Sequence, residues 1–366
     1  MPQSPKHLIV GSTENYSGKS ATILGLARQL QAQGWDIGYS KPLETLTNDC
    51  SDHRDGDVAF LGKTLGLSPQ RLQQPLVCVE TENVQANLRS LKERLNGVDA
   101  TNYGAKLQQT LAGYDCDWLL VEASGTLETG GLFGLTLPQM ASAIDAPVLM
   151  VTRFQPLHTV EALLQASQQL GDRLIGVCIN DIPAEAMDLV QNSIKPFFEQ
   201  RQIPVLGLLP RHRVLRSISV GELVQQLQAK VLCCEERLDL LVENQQIGAM
   251  GVNLAMRYFH AGRNLAIVTG GDRMDLHLAA LEASTHCLIL TGNIQPSDTV
   301  LRRAEEVEVP VLSVAFDTLQ TVSFIESAYS SLRLRNAAKV ECICHLIEQH
   351  FDLKSLLQAT KNHDGS

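Results

Sequence analysis

The chain has 366 residues, too many for one ordinary domain and enough for two that each bury a core. Its hydrophobic content of 44% and charged content of 19% are those of a globular protein, and a net charge of −10 argues against broad electrostatic binding to nucleic acid or an anionic membrane. There is no basic run, no basic patch interleaved with aromatics and no apolar run of about 18 residues, so neither a nucleic-acid surface nor a membrane span is expected.

The start, MPQSPKHLIVG, reaches a strand-like LIV without the apolar segment and cleavage site of a secretory signal. The nine cysteines are odd in number and mostly sit in apolar stretches such as RLIGVCIN and THCLILTG. That is the usage of free thiols in a cytoplasmic protein, not of a disulfide framework. Cys233-Cys234 and Cys342-x-Cys344-His345 match no zinc spacing, so plain thiols are expected there too.

In chain order, HLIVG (7–11) predicts a strand. A helix follows from SGKSATILGLARQLQAQG, where Ile23, Leu26, Ala27 and Leu30 keep helical spacing and Gly34 stands at the C-cap. WDIGYS (35–40), DWLLVE (117–122), PVLMVTR (147–153), LIGVCIND (174–181) and PVLGLLP (204–210) predict further strands, with helices near 56–66, 104–113, 156–170 and 184–200. Continuous apolar strands alternating with helices predict an α/β domain on a doubly wound, mostly parallel sheet. The rhythm pauses in PRHRVLRSISVGEL (210–223), which places the boundary at 212. AKVLCC, NLAIVTGG, HCLILTGN and VPVLSVAF then alternate with helices over 251–260, 274–283, 297–307 and 318–328, a smaller α/β domain over 213–330. A helix over 336–350 and the frayed polar tail ATKNHDGS make a terminal segment, 331–366.

The stretch GSTENYSGKS carries the first chemistry. A strict phosphate loop, G-x-x-x-x-G-K-[ST], needs glycine at 13, where Thr13 stands; the nearest glycine is Gly11. The order of strand, loop and helix is nevertheless correct. It turns the segment holding Gly11, Thr13, Glu14, Asn15, Ser17 and Gly18 toward an anion, with Lys19 adding a full charge and Ser20 a hydroxyl for Mg²⁺. The structural alternative is a plain turn. Lys41 ends the second strand in GYSKPLET, beside that loop in a parallel sheet or else simply solvated. Asp52, Asp55 and Asp57 cluster at a helix start, where carboxylates hold Mg²⁺ or favour the helix dipole. Glu122 leaves the buried strand of DWLLVEASGT, next to a metal or in a surface turn.

Taken in order, GSTENYSGKS, GYSKP, DGDVAFL, LLVEASG, PVLMVTR, GVCINDI and PVLGLLP resemble the dethiobiotin synthetase family over about 1–212. They are closer still to the related N-terminal domain of some phosphotransacetylases. The resemblance implies a P-loop NTPase-like fold that binds ATP and Mg²⁺ and tolerates a displaced first glycine. It implies that Lys19 and Lys41 contact phosphate or carbamate, that Asp57 and Glu122 bind Mg²⁺, and that Asn180, with Asp181 beside it, reads the adenine. Two departures stand out. Ala123-Ser124-Gly125-Thr126 replaces the Gly-Ala-Gly-Gly turn that approaches substrate, and PLETLTND replaces a small polar loop for the diamino acid. Nucleotide binding survives such changes better than dethiobiotin synthesis.

In the second half, VTGGDRMD, LTGNIQPSD and VAFDTLQT end three strands side by side. Thr269, Gly270, Gly271, Asp272, Arg273, Thr291, Gly292 and Asp317 either line a ligand crevice, with Asp272 capping the next helix, or only form tight turns. No nucleophile–base pair is visible, and His277 is expected to pack or face solvent. VTGGDRMDLHLAALE with CLILTGN resembles the DRTGG domain over about 213–330, which implies a regulatory, often dimeric unit with a small-molecule effector or a protein partner. The two domains in this order match the front of phosphotransacetylases, and 366 residues leave no room for the acetyltransferase domain.

The expectation is a cytoplasmic Mg-ATP-binding protein that regulates or scaffolds around acetyl phosphate or central carbon metabolism, forms a homodimer, and hydrolyses ATP slowly if at all. One alternative is an ATP-dependent carboxylase or ligase in which Lys19, Lys41 and Glu122 act on a carboxy-phosphate-like intermediate. The other is an interaction protein with a degenerate nucleotide site.

Overall fold

The computed structural model describes residues 5–46, 56–80, 84–330 and 336–364. They fall into two compact units, one running up to Arg211 and resuming at Val340, the other His212–Lys339. The sequence sets 331–366 apart as a terminal segment. The structure instead returns residues from Val340 onward to the first unit.

In the first unit the strands are β1 Lys6–Ser12, β2 Ile37–Ser40, β3 Leu43–Leu46, β4 Leu72–Gln73, β5 Val77–Glu80, β6 Trp118–Glu122, β7 Val148–Arg153, β8 Leu174–Ile182 and β9 Val205–Pro210. Seven of them form a sheet of order β4-β2-β6-β1-β7-β8-β9, every pair parallel. β3 and β5 form a short parallel ladder of their own. The apolar runs are continuous because both faces are covered: Ile9, Val121, Val148 and Met150 join a core with helices Leu137–Ala143 and Pro156–Leu170. Helix α1, Lys19–Ala32, buries Ile23, Leu26 and Leu30.

Helix Ala337–His350 from Val340 onward, and helix Leu353–Asp364, belong to this unit. Ile347 lies against Gly25 of α1, and Phe351 bridges to Gly207 of β9. The segment expected to fray is helical to Asp364, because Leu353, Leu356 and Thr360 bury one narrow stripe where the helix meets β8 and β9.

In the second unit β10 Ile218–Ser219 pairs with β12 Leu241–Val242. The main sheet is made of β11 Lys230–Cys233, β13 Asn244–Gly248, β14 Leu265–Gly270, β15 Thr285–Thr291 and β16 Val311–Ser313, in the order β11-β16-β15-β14-β13. β13 to β16 are parallel and β11 is antiparallel. Leu265 and Ile267 face the helices Val252–Ala261, Met274–Leu281 and Asp298–Glu306; Ala266 and Val268 face Val220–Leu227 and Thr318–Ser330. β13, NQQIG, carries no apolar alternation and is an edge strand, which is why sequence periodicity misses it.

Candidate nucleotide site

β1 lies between β6 and β7, so the chain winds away from it in both directions. The carboxyl ends of parallel strands at such a reversal leave a crevice. The loop after β1 is held there by its neighbours. Thr13 Oγ1 lies 2.9 Å from Thr152 Oγ1. The Glu14 carboxylate accepts from Arg153 N at 2.9 Å and from Gln155 Nε2 at 3.2 Å. Arg153 Nη2 donates to Tyr16 O at 2.6 Å, and Asn180 Nδ2 donates to Ser17 O at 2.9 Å. Asn15 lies beside Gly125, and Gly11 packs on Leu137.

Gly18 is the N-cap of α1 with φ 101° and no side-chain cap. A Cβ there would meet Asn180 Nδ2 at 2.3 Å, so both the backbone angle and the space demand glycine. The N–H groups of the first helical turn are therefore left for an incoming acceptor. Among the described residues, the buried Ser17 hydroxyl has no hydrogen-bond partner.

Lys19 is buried, and its Nζ donates to Ser12 Oγ at 2.9 Å and to Gly125 O at 3.3 Å. Burial pulls its pKa below the usual lysine value; Glu122 opposes this and Lys41 adds to it. Ser20 Oγ donates to Glu122 Oε1 at 2.8 Å, and Tyr39 Oη donates to Glu122 Oε2 at 2.7 Å. Lys41 is also buried, in an ion pair with the buried Glu44. The solvated alternative for Lys41 is thus wrong, since the side chain is buried against Glu44.

Sequence reasoning missed Glu44 and Tyr39. The only local signal for Glu44 is its position three residues after Lys41. Asn180 and Asp181 hold the protein itself: Asp181 N donates to Asn180 Oδ1 at 2.8 Å, and Asp181 Oδ1 accepts from Arg211 Nε at 3.1 Å. Asp57 lies in the helix Gly56–Leu65, but its side chain, like Asp52 and Asp55, is outside the described residues.

The residues fit a Mg-nucleotide. The uncapped N–H groups after Gly18 and the buried Lys19 would meet its phosphates, and Ser20 with the Glu122 carboxylate behind it would be the side chains nearest a Mg²⁺. That ion takes few protein ligands beside phosphate and water.

In the second unit the strand-end turns are closed on themselves. Gly271 N donates to Thr291 O, Gly292 N to Phe316 O and Asn293 N to Val314 O. Thr269 Oγ1 donates to Gly248 O, Thr291 Oγ1 lies 3.1 Å from Thr318 Oγ1, and Arg273 pairs with Asp275. A Cβ on Gly271 would meet Ile294 O at 2.6 Å, so glycine there serves packing. Asp272 does not cap the next helix: its N-cap is Arg273, with no side-chain bond. Asp317 does cap, its Oδ1 accepting from Gln320 N at 2.8 Å. His277 is buried, with Nε2 at 2.9 Å from Gly270 O.

A phosphate loop at the reversal point of a parallel sheet defines the first unit as P-loop NTPase-like. Residues 6–219 match the AAA domain family, more than half of the chain, and the chain belongs to that family. Residues 222–328 match the DRTGG domain. The chain is similar to the phosphate acetyltransferase of Synechocystis sp., 25% identical over 378 residues that cover 97% of this chain and 52% of that one. It is also similar to the phosphate acetyltransferase of Nitratidesulfovibrio vulgaris, 26% identical and covering 96% and 51%. The chain spans about half the length of these relatives. Among solved structures, the CBS and DRTGG domains of Clostridium perfringens pyrophosphatase, complexed with diadenosine tetraphosphate, are similar at 18% identity over 43% of this chain and 75% of that chain, with a TM-score of 0.29. Among the described residues no helix is long and apolar enough to cross a membrane.

Proposed function

We propose that the first unit binds ATP with Mg²⁺ and that the chain regulates or scaffolds, with the DRTGG unit taking a small-molecule effector or a protein partner and pairing as a homodimer. The observation that carries the nucleotide reading is the uncapped helix at Gly18 with buried Lys19 behind it and Ser20 bonded to Glu122. Bound Mg²⁺ would screen phosphate charge. Lys19 would move from Ser12 and Gly125 to phosphate oxygens, and the loop N–H groups would fix the phosphate chain.

The carboxylase or ligase reading, which follows dethiobiotin synthetase, needs Lys41 free to hold a carbamate or carboxy-phosphate. The ion pair with Glu44 neutralises that lysine, and Ser124 Oγ is spent on Leu43 O at 2.5 Å. Regulation therefore stands first.

Thermal unfolding with and without nucleotide tests the proposal. Mg-ATP at about 100 times its dissociation constant is expected to add about 2.7 kcal/mol, a rise of several degrees. Lys19→Ala is expected to remove that rise while the protein stays folded. No shift with millimolar ATP, ADP or GTP overturns the nucleotide reading in favour of an interaction protein. A carboxylated product formed at the expense of ATP restores the ligase.

A further inference from the structure

We propose that Tyr39 is a positioning residue that sets how tightly the Ser20–Glu122 pair holds Mg²⁺, an inference that rests on the nucleotide reading above.

Tyr39 lies on β2, opposite Leu120 of β6 and two residues short of Glu122. Its side chain is fully buried, among the largest buried side chains of the chain. For the core alone, phenylalanine serves equally: the same ring, the same volume, no polar atom to satisfy. What tyrosine adds is the O–H, which a buried phenol places on a partner. That partner is Glu122 Oε2, at 2.7 Å. Hydrogen bonds onto an ionised acceptor are the short, strong ones.

The two oxygens of Glu122 therefore have separate duties. Oε2 accepts from Tyr39 and Oε1 accepts from Ser20 at 2.8 Å. The first bond fixes the plane of the carboxylate. The second points the Ser20 proton inward, and so leaves the serine oxygen's lone pairs directed away from Glu122, where a cation can take them. Without the phenol, the carboxylate turns about its last bond and the serine proton loses its fixed acceptor. Lys19, bonded to Ser12 and Gly125, is not part of this chain of bonds. Tyr39 thus acts through hydrogen bonds on Glu122 and Ser20, and on Lys19 only through the charge of Glu122, which Tyr39→Phe leaves in place.

The test is the Mg²⁺ concentration that gives half of the ATP-induced rise in unfolding temperature, measured on the full chain. Tyr39→Phe is expected to raise it about tenfold, the usual cost of losing a group that orients a metal ligand. The small rise given by ATP in excess chelator is expected to stay unchanged. In a Glu122→Gln background, Tyr39→Phe is expected to add nothing further. Mn²⁺ titration of the ATP-loaded protein by paramagnetic resonance gives the same comparison at a temperature where both proteins are folded. An unchanged metal requirement in Tyr39→Phe overturns the inference and leaves the nucleotide reading intact. An equal loss with and without metal overturns it too, since that marks a purely structural tyrosine. No ATP effect on the unaltered chain overturns both.

Discussion

The two units end their parallel strands in similar glycine-containing turns, yet the turns are chemically opposite. After β1, β2 and β6 the first unit gathers Lys19, Lys41, Glu44 and Glu122, all buried, next to an uncapped helix. After β14 and β15 the second unit spends its backbone on itself, each of these turns donating to the next strand's end. A buried charge is retained only when something compensates it. The first edge is thus organised around buried charge held by protein partners, and the second around a self-satisfied backbone. The same glycine-rich pattern in a sequence supports either.

The largest test of that contrast lies in the ion pair of the first unit. Glu44→Ala leaves Lys41 buried without its carboxylate and is expected to cost about 3–5 kcal/mol in denaturant unfolding. Replacing both, Lys41→Met with Glu44→Leu, is expected to recover most of it. A single variant as stable as the parent would remove the charge-centred description. In the second unit the expected effects are those of ordinary turns. Asp317→Ala is expected to cost about 1 kcal/mol, because Oδ1 caps the helix Thr318–Ser330 through Gln320 N. Asp272→Ala is expected to leave the unfolding midpoint unchanged, since the following helix has no side-chain cap.

The smallest effect concerns His277. Burial lowers its pKa from the ordinary 6.5; the Gly270 carbonyl and then Asp275 and Asp272 oppose this, while Arg273 adds to it. Well above pH 6.5 both folded and unfolded chains hold it neutral, and its contribution is complete. As pH falls below that value the unfolded chain takes a proton that the folded one declines, so stability falls until the folded pKa is reached. His277→Gln is expected to flatten that part of the acid limb, measured by denaturant midpoints over mildly acidic pH. An unchanged slope would show that the histidine does not titrate differently on folding.

Legibility followed range. The phosphate loop could be found because strand, loop and helix are contiguous, and each carries its own periodicity and turn chemistry. Helix Leu353–Asp364 was harder, since only a thin stripe through Leu353, Leu356 and Thr360 is buried in a polar segment. Asn180 was legible as a residue near a strand end. That its amide holds Ser17 O rather than standing free was not.

By itself, then, the sequence determined the α/β alternation, the two-domain order, and Lys19, Ser20 and Glu122 as a candidate set, because each of those signals sits within one strand, turn or helix. Only the tertiary structure decided that Glu44 neutralises Lys41, that Tyr39 holds Glu122, and that the chain's end packs beside α1 and β9. Those pairings join residues brought together by strand register and helix packing. No local window of sequence records which distant side chain will share a buried space, whereas the desolvation of a charge or hydroxyl makes a partner there obligatory.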